Sequence, residues 1–221
     1  MREIDWSVFW VDVWEATLET LVMTGFSLIF ASLLGIPLGI ALVVTREGNL
    51  FENKIVFQVL NVVVNIVRSV PFIVLMVAII PFTRLIVGTS IGTTAAMVPL
   101  VIFAAPFIAR LVESSLLEVD PGVVEAAKSM GATPWQIIFR FLVPEALSSL
   151  VLNLTIATIG LVGASAMAGA VGGGGLGDLA ISYGYQRFHS DVMLVTVILL
   201  IVLVQLVQMS GNRLSKALRR R

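Results

Sequence analysis

Long apolar stretches, almost free of charge, alternate with shorter polar segments along the whole chain. Arg68 is the only charged residue inside these stretches. A helix of about 20 apolar residues crosses the roughly 30 Å of hydrocarbon in a bilayer, and a charge at its centre costs on the order of 2.5–3.5 kcal/mol. The pattern therefore predicts an all-α integral membrane protein with five transmembrane helices. The predicted spans are residues 20–45, 55–83, 85–109, 146–172 and 192–211.

The composition supports a membrane protein. Of 221 residues, 58% are hydrophobic and 13% are charged, whereas about 25% of an average soluble chain is charged. The mean hydropathy is +1.02. Such a chain lacks both the polar surface of a soluble domain and the high charge of a disordered one. Fourteen Lys and Arg balance fourteen Asp and Glu, so no basic surface predicts nucleic-acid binding.

The distribution of basic residues predicts the orientation of the five spans. If the C-terminus lies inside, ten Lys and Arg lie in inner segments, and only Arg2, Arg84 and Arg187 lie in outer ones. Basic residues are enriched in cytoplasmic loops. We therefore expect the N-terminus outside the cell and the C-terminus in the cytoplasm.

The segment before the first span carries Trp6, Trp10 and Trp14, which share one helix face because they are four residues apart. Trp is enriched at membrane interfaces. We interpret residues 1–19 as a short amphipathic segment lying in the interface. A solvated lead-in with three unrelated aromatic residues is the alternative.

The second predicted span carries a stripe of polar residues spaced by three, four and three positions, which places them on one helix face. They are Gln58, Asn61, Asn65 and Arg68. Such a stripe avoids lipid and faces the bundle interior, a water-filled path or the cytosolic boundary. Asn61, Asn65 and Arg68 are therefore candidates for a translocation path or for helix packing, with Arg68 bonded to neighbouring carbonyl groups, and both interpretations stay open.

Two spans carry small residues at every fourth position, a spacing that lets membrane helices approach closely. The first span has Ala31, Gly35 and Gly39, and the fourth has Gly160, Ala164, Ala168 and Gly172. A tightly packed bundle or dimer interface is one interpretation. A chance scatter in Gly- and Ala-rich helices is the other.

The sequence contains no motif for catalysis, nucleotide binding or metal binding. No Gly-Lys pair occurs, so the phosphate-binding loop G-x-x-x-x-G-K-[ST] of an ATPase is missing. The single His189 has no second ligand at metal-binding spacing, and the chain has no Cys. The run Gly172–Gly177 matches G-x-G-x-x-G only as a string, because no strand precedes it. We expect no catalytic residue, metal or cofactor in this chain.

The loop between the third and fourth spans, residues 110–145, contains signals for local structure. Asp120 followed by Pro121 predicts a helix start, and Gly131 predicts its left-handed C-terminal stop. Thr133 and Gln136 form a capping box that starts the next helix. The short helix 121–130 is too short to be stable alone, so it needs a docking surface, either on a partner or on this chain's own helix ends.

This loop resembles the EAA loop of the membrane subunits of bacterial ATP-binding-cassette importers. Glu125, Ala126, Ala127, Gly131 and Pro144 match the pattern as they stand, while Phe141 and Val143 replace its usual Ile and Leu. The resemblance implies that the short helix is a coupling helix seated on a separate ATPase subunit. ATP and Mg would bind to that partner.

Further segments look like the methionine-import permeases: Arg68–Phe72, Gly172–Asp178 and Ile181–Phe188. Because this similarity covers essentially the whole length, it implies one transmembrane permease domain over residues 1–221 in a bacterial cell membrane. It also implies a homodimer, an ATPase partner and an external methionine-binding protein, with the segment after the fourth span placed for docking of that protein.

Other functions remain as alternatives. An importer of the same type could carry another small amino acid or a related solute. A secondary transporter or channel belongs to a different class, but the predicted spans hold no carboxylate for a proton relay, and no inverted repeat is evident. A scaffold protein would not need a capped helix at this spacing.

Overall fold

The computed structural model describes residues 6–219, which are helical almost throughout and contain no β-strand. Arg2 and the first part of the predicted N-terminal segment lie outside these residues. The helices are α1 Trp6–Val44, α2 Lys54–Ser69, α3 Phe72–Ala78, α4 Ile80–Val87, α5 Thr93–Leu117, α6 Pro121–Ser129, α7 Pro134–Gln136, α8 Val143–Glu145, α9 Leu147–Gly169, α10 Gly175–Leu179 and α11 Ser190–Leu218. Two π-helical segments, Ile137–Leu142 and Ala180–Tyr185, precede α8 and follow α10. The predicted all-α class is confirmed.

The chain groups into two compact units. Unit 1 consists of Met1–Phe30, Val70–Phe103 and Thr158–Val207, and unit 2 consists of Ala31–Ser69, Ala104–Ala157 and Gln208–Arg221. The assignment of residues 1–221 to one permease domain stays a prediction.

Four helices in the described part of the chain are long and apolar enough to cross a membrane: Phe9–Val44, α5, α9 and α11. The pair α2 and α3 qualifies as a fifth span only when the two are taken together. The span predicted over 55–83 is therefore made of separate helices rather than one, because the chain breaks at Pro71, which has an extended ψ of 138°. Proline lacks the N–H that a continuous helix needs.

The third span also differs from its prediction. Residue 85 lies in the short helix α4, which ends at Gly88 in the left-handed conformation, and α5 starts only at Thr93. At its other end α5 continues to Leu117 and includes Arg110 and Glu113. Helix α5 therefore carries a buried carboxylate, Glu113, beyond residue 109 where the predicted span ends.

In unit 1 the N-terminal segment is continuous with the first span rather than separate from it. Phe9, Val13 and Ala16 are buried in one cluster with Leu176, Leu179 and Val192. Trp10 and Trp14 lie on the opposite, exposed face, and the side chain of Trp6 lies outside the described part. Packing against the same chain explains why the helix continues through residues that the hydropathy pattern assigns to the interface.

In unit 2 the small residues of α1 let it approach α5 closely. A Cβ atom added to Gly35 would lie 2.5 Å from the Ala105 carbonyl oxygen, and one added to Gly39 would lie 2.6 Å from that of Ala109. The interpretation of these glycines as packing residues is confirmed. The close approach leaves no room for any side chain.

In unit 1 the small residues of α9 follow the predicted stripe only in part. Ala164 and Ala168 are buried, but Gly160 is exposed. The tightest approach is at Gly169, where an added Cβ atom would lie 2.6 Å from the Gly177 carbonyl carbon.

Candidate functional site

The short helix α6 begins where the sequence predicts. The Asp120 Oδ1 atom accepts a hydrogen bond from the Gly122 N–H at 2.8 Å, and Pro121 occupies the first turn. A side-chain oxygen at this position satisfies one of the N–H groups that lack a partner in the first turn. The helix ends at Ser129, with Met130 as its C-cap, so it is one residue shorter than predicted.

Gly131 ends α6 by turning the backbone into the left-handed region, with φ of 78°. The Gly131 N–H donates to the Lys128 carbonyl at 2.9 Å, and the Ala132 N–H donates to the Ala127 carbonyl at 3.1 Å. These two bonds form a Schellman motif. The predicted left-handed stop is confirmed. An added Cβ atom would meet nothing within 4 Å, so the backbone angle alone favours glycine here.

The chain after this turn restarts through the predicted capping box. The Thr133 N–H donates to Gln136 Oε1 at 2.9 Å, and the Gln136 N–H donates to Thr133 Oγ1 at 3.4 Å. The π-helical segment Ile137–Leu142 follows, and no sequence signal predicted it. Pro144 lies two residues after its end, and a proline displaces the carbonyl group four residues earlier, here that of Arg140 within the segment, which accounts for the wider turn.

One face of α6 packs on its own chain and the other is open. Ala127 is completely buried, whereas Glu125, Ala126 and Met130 are exposed. Helix α6 packs against the π-helical segment. Docking on the chain's own elements, which the sequence left open, therefore accounts for the Ala127 face only. The Glu125 and Ala126 face is available to another molecule.

An exposed aromatic cluster belongs to the same unit. The rings of Trp135 and Phe139 are stacked with centroids 6.1 Å apart, and the Phe51 ring lies 5.5 Å from that of Trp135. The exposed fraction is 63% for Trp135 and 58% for Phe139. These aromatic residues share no local signal in the sequence, because the three rings come together only in the folded chain.

A partly buried polar cluster in unit 2 joins α2 to α5. The Arg110 Nη1 atom donates to Glu113 Oε2 at 2.5 Å. Its Nη2 atom donates to the Asn65 Oδ1 atom at 2.9 Å and also to the side chain of Asn61. Only 18% of the Arg110 side chain and 9% of the Glu113 side chain are exposed. From hydropathy alone, Arg110 falls in a cytoplasmic flank, because a charged residue ends the predicted span. Its hydrogen-bond partners are visible only in the folded chain.

The polar stripe on α2 therefore divides. Asn61 and Asn65 bond to Arg110, which is helix packing, although Asn65 is exposed like Gln58 and Arg68. Arg68 takes no part in these bonds. Arg68, at the last turn of α2, remains a candidate for a translocation path.

An open cleft of about 730 Å³ lies at the base of the α6 loop in unit 2. Its walls include Asp120 from the start of α6, Pro144 from α8 and Lys216 from α11. Ser149 donates to Glu118 on the same wall at 2.7 Å. Pro144, the last of the EAA-like positions, thus faces a polar opening rather than the packed core. Within residues 6–219, no three metal-ligating side chains are grouped to hold an ion.

In unit 1 the glycine-rich turn before α10 is held by α1. The Glu19 Oε2 atom accepts from the Gly175 N–H at 2.6 Å, and Thr20 Oγ1 accepts from the Leu176 N–H at 2.9 Å. Two side chains of a distant helix thereby satisfy the first N–H groups of α10. The role of Glu19 has no local signal in the sequence, because its partner lies 156 positions away.

The segment after α10, which the resemblance placed for docking of a binding protein, ends in exposed aromatic residues. Tyr185 is 68% exposed and Phe188 is 86% exposed. The Arg187 guanidinium lies 4.1 Å from the centre of the Tyr183 ring, a cation–π contact. Large exposed aromatic side chains are typical of surfaces that bind another protein.

The helical fold and the capped loop define a membrane permease, and comparison with known proteins identifies the family. The model of the binding-protein-dependent transport system inner membrane component matches residues 20–221. The chain belongs to this family.

Several relatives of the chain are named for methionine transport. The probable D-methionine transport system permease protein MetI of Vibrio cholerae serotype O1 is 58% identical over 199 residues, which cover 90% of this chain and 88% of that protein. The methionine import system permease protein MetP of Bacillus subtilis (strain 168) is 46% identical over 210 residues, 95% of each chain. The predicted resemblance to methionine-import permeases is confirmed.

Solved structures agree with this assignment. A chain of the MetNI methionine ABC transporter in an inward-facing conformation has a TM-score of 0.93 and 49% identity, and 100% of each chain is covered. A chain of an amino acid ABC transporter with histidines has a TM-score of 0.79 over 98% of this chain and all 100% of that one. Its identity is 18%, so it shows the fold alone.

Proposed function

We propose that this chain is the permease subunit of an ATP-driven methionine importer. The observation that carries the proposal is the identity of 58% and 46% to permeases named for methionine, over 90% and 95% of this chain. The chain itself holds no phosphate-binding loop, so a separate ATPase subunit binds ATP and Mg and supplies the energy. Two copies of the chain form the translocation path.

Helix α6 is the contact with the ATPase subunit in this proposal. It is capped at both ends, and its Glu125, Ala126 and Met130 side chains are exposed. A helix of 9 residues is only marginally stable by itself in water. Binding to the ATPase subunit stabilises it, so that it can transmit movement between the two subunits. Gly131 sets the direction in which the chain leaves that seat, and the buried Ala127 packs α6 onto the permease side.

A methionine-binding protein delivers the substrate from the other side of the membrane. The exposed Tyr185 and Phe188 side chains support this role for the segment after α10. The excess of basic residues in the segments of α6 and the C-terminus supports a cytoplasmic α6, a cytoplasmic C-terminus and an outside N-terminus.

Labelling of single cysteines tests this orientation in sealed cells. The native chain has no Cys, and Gln186 and Lys216 are both exposed, so cysteines at these positions are accessible on their own side. Gln186→Cys is expected to react with an impermeant reagent from outside, and Lys216→Cys only after permeabilisation. The reverse result would contradict the orientation.

Transport by the reconstituted complex tests the function itself. The permease, its ATPase subunit and the binding protein are placed in vesicles with labelled methionine, and with labelled histidine as a comparison. We expect ATP-dependent methionine uptake that disappears when the permease is omitted. Uptake of another amino acid in preference to methionine would favour the alternative importer and contradict the proposed substrate.

A further inference from the structure

Arg110 occupies a junction between the coupling loop and the candidate path helix. It lies on α5, about two turns before that helix ends at Leu117, and α6 begins at Pro121. Its side chain reaches α2, the helix that carries Asn61, Asn65 and Arg68. A movement of α6 can therefore be transmitted to Arg110 through the last part of α5, residues 111–117.

The hydrogen bonds of Arg110 do more than compensate the charge of Glu113, because they also hold α2 to α5. Glu113, one turn further along α5, supplies the opposite charge. Asn61 and Asn65 on α2 supply neutral oxygen atoms, which add direction but no charge. A guanidinium has a rigid fork of donors, so it can bond to Glu113 through one arm and to both asparagines through the other.

Breaking the ion pair of Arg110 and Glu113 is costly, because this part of the cluster is shielded from water. Arg110 and Glu113 are mostly buried, and removing one partner of a buried pair leaves an uncompensated charge. The described part of the chain has no other salt bridge. Helices α2 and α5 are thus joined by directional polar bonds, which resist sliding and rotation more strongly than apolar contacts do.

We infer that Arg110 is a positioning residue that clamps α2 to the C-terminal part of α5, so that displacement of α6 by the ATPase moves α2 with it. The inference rests on the proposed function, since it assigns a route for the stroke that this function requires. Arg110 touches neither the substrate nor ATP in this role. Its effect is on the efficiency with which hydrolysis is converted into transport.

The test uses the complete reconstituted complex and measures methionine moved per ATP hydrolysed. In Arg110→Met we expect hydrolysis to persist while this ratio falls about fivefold. Arg110→Lys, which keeps the charge but loses the fork, is expected to have an intermediate ratio. Arg213→Met is the matched control, because Arg213 is an exposed arginine on α11 in the same unit, and it is expected to behave like the wild type.

The double variant Arg110→Met/Glu113→Leu separates the clamp from charge compensation. It leaves no unpaired charge, but it also leaves Asn61 and Asn65 without the Arg110 donor. A low ratio in the double variant supports the clamp. Recovery of the wild-type ratio would overturn it, as would a loss of hydrolysis and uptake in equal proportion in the Arg110 variants. If Arg110→Met fails to fold, the double variant and Arg110→Lys decide.

Hydrogen exchange gives a second readout that needs no substrate. On trapping ATP in the wild-type complex, exchange is expected to change in both α6 and α2. In Arg110→Met only α6 is expected to respond, and a persisting response in α2 would overturn the clamp. Absence of methionine uptake by the wild type would instead contradict the proposed function and leave the exchange result to decide on Arg110.

Discussion

The turn at Gly131 and the turn at Gly172–Gly175 both connect helices through glycines at positive φ, but their surroundings differ. At Gly131 an added Cβ atom would meet nothing within 4 Å. At Gly175 it would lie 2.7 Å from Thr20 Oγ1 and 2.9 Å from Met23 Cε. The first turn is open and the second is packed against α1. Glycine is therefore needed for its backbone angle alone at Gly131, and for both angle and space at Gly175.

This difference fits the roles of the two turns. The open turn orients α6, whose exposed face is the contact with the ATPase subunit in the proposed function. The packed turn is part of the fold of unit 1, where Glu19 and Thr20 hold the first N–H groups of α10. We therefore expect substitutions in the packed turn to lower the free energy of unfolding. Substitutions in the open turn should instead lower methionine uptake per ATP hydrolysed.

The largest effect on stability is expected for Gly175→Val. It combines a strained φ of 76° with a steric clash against α1, so we expect a loss of about 2–5 kcal/mol in the free energy of unfolding. Gly48→Val is the control, because Gly48 has φ of 79° and open space around its Cβ position, and it should lose only about 1–2 kcal/mol. Unfolding titrations in detergent measure both. Equal losses would remove the distinction between open and packed turns.

A smaller loss is expected for Glu19→Leu. Leucine leaves the Gly175 N–H without its acceptor, which costs about 1–3 kcal/mol at a site shielded from water. Glu19→Gln retains an acceptor oxygen and should lose less than Glu19→Leu in the same titration. If the two variants were equally destabilised, the hydrogen bond to the turn would not be the contribution of Glu19.

The smallest effect is expected for Thr133→Ala, which removes one half of the capping box after the open turn. Loss of an N-cap costs about 1 kcal/mol, and here it acts on an exposed segment. Amide exchange in residues 135–137 should accelerate, while the unfolding midpoint of the whole protein stays close to that of the wild type. A large shift in that midpoint would show that the segment is part of the stable core instead.

The features that the sequence predicted are local ones. The Asp120 cap, the left-handed Gly131 and the Thr133–Gln136 box each depend on residues within five positions of one another, so their geometry follows from residue type. The close packing at Gly35 and Gly39 was predicted for a similar reason, because a repeated spacing places small residues on one helix face.

The features that the sequence did not predict depend on contacts between distant residues. Helix α5 continues through Arg110 and Glu113 because Asn61 and Asn65 receive the arginine, while hydropathy places a boundary at the first charge. The break at Pro71 was missed for the converse reason. Prolines are common inside membrane helices, where neighbouring groups satisfy the freed carbonyls, so residue type alone does not separate a tolerated proline from a breaking one.

A substitution of Glu125 tests the exposed face of α6, and its expected effect is smaller than that of a substitution of Gly131. It is exposed on α6, and among the described residues it forms no ion pair with Lys128. Charge reversal in Glu125→Lys should therefore leave the permease folded and dimeric but reduce its association with the ATPase subunit. Normal co-purification of the two subunits would restrict the contact to the apolar residues of α6.

The most direct test of the central claim, that α6 and its Gly131 turn transmit the ATPase stroke, is methionine uptake per ATP hydrolysed in vesicles for Gly131→Asn and Gly131→Val. Asparagine tolerates the left-handed conformation, whereas a β-branched residue there costs on the order of 1–2 kcal/mol and tilts α6 from its seat. We predict near wild-type coupling for Gly131→Asn. For Gly131→Val we predict loss of ATPase association or of coupled uptake, with membrane insertion and dimerisation intact. Wild-type coupling by Gly131→Val would contradict the account and reduce the loop to a connector.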